Sequence, residues 1–252
     1  MKKWRSQWQR VTVTAIAIFI TIISSSLVRS QPDSKLPDLQ VHPLPQFLEE
    51  WHDPSNSGNY FQQIKSTPLG YLIWSQFPVK VYVEEVTARE NTAANSRFEQ
   101  WTATARKAIA EWQVYFPLIE VTQQEAADIV ILRSQPEREV KLNPNTGLFD
   151  IPRAVAAQTN YKFYLTDKPT RISLRMTVRV SPNFAGESLL ATIRHEFGHA
   201  LGIWGHSPAQ SDALYFSQVK EPPPISARDL NTLKKIYQQP TKLGWQIPTA
   251  NN

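Results

Sequence analysis

Residues His195–His206 read HEFGHALGIWGH and gather three of the chain's five histidines into twelve positions. His195 and His199 are four apart. On a helix that spacing turns both imidazoles to one side. It suits two legs of a tetrahedral Zn²⁺ site. Glu196 adjoins the first histidine and is the expected general base. Gly202 can take positive φ and end the helix in a sharp turn. His206 then returns as a third ligand. Three protein ligands leave a fourth position for water, which is the catalytic rather than the structural arrangement.

The surrounding pattern supports a helix over 186–202, because Leu189, Leu190, Ile193, Phe197 and Leu201 recur at helical spacing. Upstream, Phe77–Val86 alternates Val79, Val81 and Val83 against Lys80, Tyr82 and Glu84, which predicts a half-buried strand. Asn95–Phe116 places Phe98, Trp101, Ala105, Ile109 and Trp112 on one helical face, with Asn95 or Ser96 as the expected cap. Leu118–Val121, Asp128–Leu132, Tyr161–Leu165 and Ile172–Val180 are further strands. Ser226–Gln238 is a helix with a capping-type start, stopped by Pro240. Strands around one long helix, followed by late helices, predict an α+β fold. Its expected parts are a twisted mixed sheet, a backing helix, a metal-binding helix and a C-terminal helix.

The chain has 252 residues, with 27 Lys and Arg against 22 Asp and Glu. Lys2, Lys3, Arg5, Arg10 and Arg29 fall before residue 31, where no acid occurs. Taking those five away leaves 22 basic and 22 acidic groups. A balanced body disfavours nucleic acid as a partner. The basic start precedes the apolar run Val11–Val28, the layout of a signal peptide or an N-terminal membrane anchor over residues 1–30. Either reading puts the rest outside the cytoplasm, whether secreted, periplasmic or tethered. A membrane is expected as a partner only through that anchor. Residues 31–76 are rich in Pro, Ser, Gln and Asn, with a short helix near Gln46–Trp51, and read as a linker or pro-like arm. Residues 77–239 hold the patterned domain, and 240–252 read as a tail. The absence of Cys excludes thiolate ligands and disulfides, so a metal must use His and carboxylates.

HEFGHALG…GHS, followed by Asp212-Ala213-Leu214-Tyr215 and the helix Ser226–Tyr237, resembles the metzincin zinc metalloproteases, most closely the matrixin-type catalytic domain. The resemblance covers about residues 76–239. It implies a zincin-like domain with Zn²⁺ as cofactor, His195, His199 and His206 as ligands, Glu196 as general base and a peptide or protein substrate. It also implies that an extended peptide pairs with a sheet edge, supplied by Ile172–Val180 or Tyr161–Leu165. A pocket is expected between the metal-binding helix and the segment after His206. Two departures stand out. Three residues, Ile203, Trp204 and Gly205, separate the turn glycine from His206 where the family has two, and Asp212 is a fallback third ligand. Leu214 stands at the position of the family's methionine. The family's thiolate latency is impossible here, and Asp53 or His52 of the arm is a candidate mask. The alternative from another class is a zinc-binding exported protein with little activity, acting as a cell-envelope binding module.

Overall fold

A computed structural model describes residues 36–87, 92–136, 156–217 and 219–247, with the backbone of two short strands at 141–142 and 149–150. In chain order the elements are α1 (Gln46–Glu49), β1 (Val79–Val83), α2 (Ala93–Gln113), β2 (Leu118–Glu120), β3 (Ile129–Leu132), β4 (Lys141–Leu142), β5 (Phe149–Asp150), β6 (Ala157–Asp167), β7 (Thr170–Val180), α3 (Gly186–Ala200) and α4 (Ala227–Tyr237). The fold is α+β. Five strands form a mixed sheet in the order β2-β1-β3-β7-β6. The first four are parallel, and β6 runs antiparallel to β7 along an edge.

The alternation read in the sequence decides which face is buried. Val81, Ile129, Met176 and Tyr161 lie in one row across the sheet, and Val83, Ile131, Val178 and Thr159 lie in the next. Helices α2 and α3 lie over that face. Trp101, Ala105, Ala108, Ile109 and Trp112 of α2 are buried, as are Leu189, Leu190, Ile193 and Phe197 of α3. The indole of Trp112 also donates to the Arg194 carbonyl at 2.9 Å, tying the helices together. The cap of α2 is Thr92, whose hydroxyl accepts from Asn95 N–H, rather than Asn95 or Ser96. Thr92 lies outside the apolar stripe and escapes a reading based on that stripe. The Ser226–Asp229 capping box of α4 forms as expected.

The stretch expected as a linker or pro-like arm is exposed at Leu36, Leu39 and Val41 but packs against the rest of the chain from Leu48 onward. Leu48, Tyr60, Leu72, Ile73 and Trp74 are buried in the common core. Trp74 donates from its indole to the Ala200 carbonyl at 3.0 Å, and its backbone N–H donates to the Tyr237 hydroxyl at 3.1 Å. The short helix near Gln46–Trp51 is the single turn α1. Beyond α4, Gly244 N–H donates to Ile172 O and Ile247 N–H to Thr170 O, each at 2.9 Å, so the expected tail is anchored through Ile247. Hydrophobic residues in an otherwise polar stretch, such as Trp74, find partners in elements far along the chain. Residues 1–30, expected as a signal or anchor, lie outside the described residues. Among the described residues no helix is long and apolar enough to cross a membrane.

Candidate metal centre

Helix α3 carries His195 and His199 on one side, as their spacing predicts. Their rings are oriented by backbone carbonyls. His195 Nδ1 lies 2.9 Å from Ala213 O, and His199 Nδ1 lies 2.7 Å from Ile203 O. A carbonyl only accepts, so each Nδ1 is the protonated nitrogen, and in the neutral ring each Nε2 keeps a lone pair. Burial holds both imidazoles down to about 4 against an ordinary 6.5, with the neighbouring His199 adding to the effect at His195. Both are therefore neutral at pH 7. The two Nε2 atoms face each other at 3.1 Å. Two lone pairs at that distance repel unless a cation lies between them. Nitrogens bound to one tetrahedral zinc stand about 3.3 Å apart, given zinc–nitrogen bonds of about 2.0–2.1 Å. The donor set therefore fits a zinc ion.

His206 completes the cluster. One ligand atom from each of His195, His199 and His206 lies within 4.8 Å of the others. The loop that delivers His206 is held by the N-terminal arm. Gly202 has φ +121°, and a Cβ there would stand 2.4 Å from Leu72 O. A Cβ at Gly205 would stand 2.2 Å from Gln63 O. Lys65 N–H donates to Trp204 O at 3.0 Å, and Ser207 N–H to Leu214 O at 2.8 Å. Glycine is required at both turns because backbone approaches backbone there. The loop from Gly202 to His206 is thus packed against residues 63–72.

The fallback ligand Asp212 has another task. Fully buried, it accepts from the Ser207 hydroxyl and from Arg228 Nε, the latter at 2.9 Å, and is not part of the histidine cluster. Leu214 is also fully buried, with its side chain against Gly198, the residue before His199. It supplies apolar support against the helix that carries His195 and His199. Asp53 accepts from Ser55, Ser57 and Asn231, so it is committed to the arm and α4.

Glu196 lies beside the histidine cluster and lines both cavities that meet there. Burial raises its carboxyl above the ordinary value, opposed first by a hydrogen bond from Thr159 and then by the neighbouring histidines. A cleft of about 570 Å³ runs past Glu196, His199 and His206, with Gln63 and Lys65 of the arm on its wall. A pocket of about 230 Å³ opens beside it between α3 and residues 212–223, in the expected place. Ala157 of β6 lines both. Of the two candidate edges, β7 is interior, paired on both sides, and β6 is the outermost strand beside the cleft among the described residues.

Sequence reasoning missed the supports. Asp229, in the capping box of α4, accepts from Ala213 N–H at 2.9 Å and from the Tyr60 hydroxyl at 2.6 Å. It thereby fixes the residue whose carbonyl orients His195. The S-x-x-D cap was a signal for Asp229, but only for its local role. Thr159 fell outside the expected strand, which began at Tyr161. No known family matches the chain, and no curated protein is detectably similar to it.

Proposed function

We propose that the chain is an exported zinc endopeptidase, with His195, His199 and His206 as zinc ligands and Glu196 as general base. The observation that carries this reading is the pair of Nε2 lone pairs facing each other at 3.1 Å, with His206 in reach and a carboxylate alongside. Bound zinc lowers the pKa of a coordinated water and polarises a substrate carbonyl. Glu196, its affinity for a proton raised by burial, removes a proton from the attacking water. It then returns that proton to the departing amine nitrogen. An extended peptide adds to the outer edge of β6 by backbone hydrogen bonds, which brings its scissile carbonyl over the histidines. The pocket beside His195 receives one substrate side chain. Its walls include Ala156, Ala191, Val219 and Pro222, so an uncharged side chain fits there. Export is supported by the basic start and the apolar run that follows it.

The test is zinc content and hydrolysis of an unfolded protein substrate by the parent and by Glu196→Ala. The parent binds one zinc and cleaves. Glu196→Ala keeps the zinc and loses at least about 100-fold in rate, the scale of general-base catalysis. A variant that cleaves at the parental rate would refute the assignment.

A further inference from the structure

The edge strand carries a side chain that is hydrogen-bonded to Glu196. Thr159 lies in the row Val83–Ile131–Val178–Thr159, so it points to the helix side of the sheet, and it is 7% exposed. Its Oγ1 lies 2.6 Å from Glu196 Oε2 and 3.1 Å from Glu196 O. The hydroxyl has one hydrogen, and the carboxylate is both nearer and charged. A 2.6 Å contact is the length of a charge-assisted O–H···O⁻ bond.

We infer that Thr159 is a positioning residue for Glu196, holding the carboxylate by Oε2 and leaving Oε1 as the better acceptor for the substrate water. The inference rests on the reading of Glu196 as general base. It also ties two parts of the reaction together. The backbone of Thr159 belongs to the edge along which an extended peptide adds, and its side chain holds the group that acts on that peptide. Peptide and base are therefore registered to one residue. Misplacement of a reacting group by about 1 Å costs on the order of 100-fold in rate, so one hydrogen bond matters here.

Thr159→Val keeps the shape and removes the hydroxyl, and Thr159→Ser restores it. In the zinc-loaded full chain, Thr159→Val should retain zinc and thermal stability, keep KM within about twofold, and lose about 10- to 100-fold in kcat. Thr159→Ser should recover most of that loss. Independently of activity, NMR of the zinc-loaded parent should show a slowly exchanging Thr159 hydroxyl proton that becomes fast in Glu196→Ala. Parental kcat in Thr159→Val, equal losses in the Val and Ser variants, or a fast-exchanging hydroxyl in the parent would each overturn the inference. An active parent with an equally active Val variant removes this inference alone. A zinc-loaded parent that cleaves nothing removes the proposed function and this inference with it.

Discussion

Two of the three histidines and the third are held in different ways. His195 and His199 share α3, and their rings rest on carbonyls of Ala213 and Ile203. Their relative position follows from helical periodicity alone. His206 is exposed and sits on a loop whose shape is set by residues about 140 positions earlier, Gln63, Lys65 and Leu72. A local rule builds the first pair, and a long-range contact builds the third member. The arm therefore belongs to the candidate site's support as much as α3 does.

Removing the arm should break the contrast most severely. A chain begun at residue 77 loses Leu48, Tyr60, Leu72, Ile73 and Trp74 from the core. At about 1.5–3 kcal/mol for each large buried side chain, the loss is roughly 10 kcal/mol, comparable to the whole stability of a domain. Such a chain should show no cooperative thermal transition by circular dichroism. A cooperative transition would make the arm an accessory.

Gly205→Ala and Gly198→Ala sharpen the same contrast. The first drives a Cβ into a backbone carbonyl and should cost about 3 kcal/mol. Zinc affinity should fall with it, because the turn that delivers His206 must open. The second meets mainly the tip of Leu214, at 2.6 Å, and gains about 1 kcal/mol of helix propensity. It should cost clearly less. Urea unfolding and zinc titration of the pair give the ranking, and the reverse order would contradict the account of the loop.

Legibility in the sequence divides along the same line. The i, i+4 histidines, the neighbouring Glu196, the turn glycine and the alternating valines of β1 are local patterns, and each was readable. The start of β6 was not, because AVAAQTN before Tyr161 has few β-branched and no aromatic residues, and Thr159 was missed with it. The packing of the arm was not legible because its composition is polar, although Leu48, Leu72 and Ile73 within it are buried. Nothing local shows that Tyr60 will meet Asp229.

That contact supplies a smaller test. Tyr60→Phe removes a 2.6 Å hydrogen bond to a buried carboxylate and should cost about 2 kcal/mol by urea unfolding. Zinc affinity should fall by less than the roughly 10- to 100-fold typical of a direct supporting partner, because Asp229 keeps its bond to Ala213. A larger loss would place the arm in control of His195 as well as His206. The smallest effect is expected for Leu214→Met. Leu and Met are similar in volume, so the change should cost under about 1.5 kcal/mol and leave zinc content unaltered. A variant that loses zinc would show that the support beneath the histidines depends on shape in detail.

The central claim is that these three histidines form one zinc site. The most direct measurement is a crystal structure of the zinc-loaded full chain, with the metal located by anomalous scattering at the zinc edge. The account predicts a single ion about 2.0–2.1 Å from Nε2 of His195, His199 and His206. Zinc bound through Asp212, zinc bound at another site, or no zinc between the histidines would contradict it.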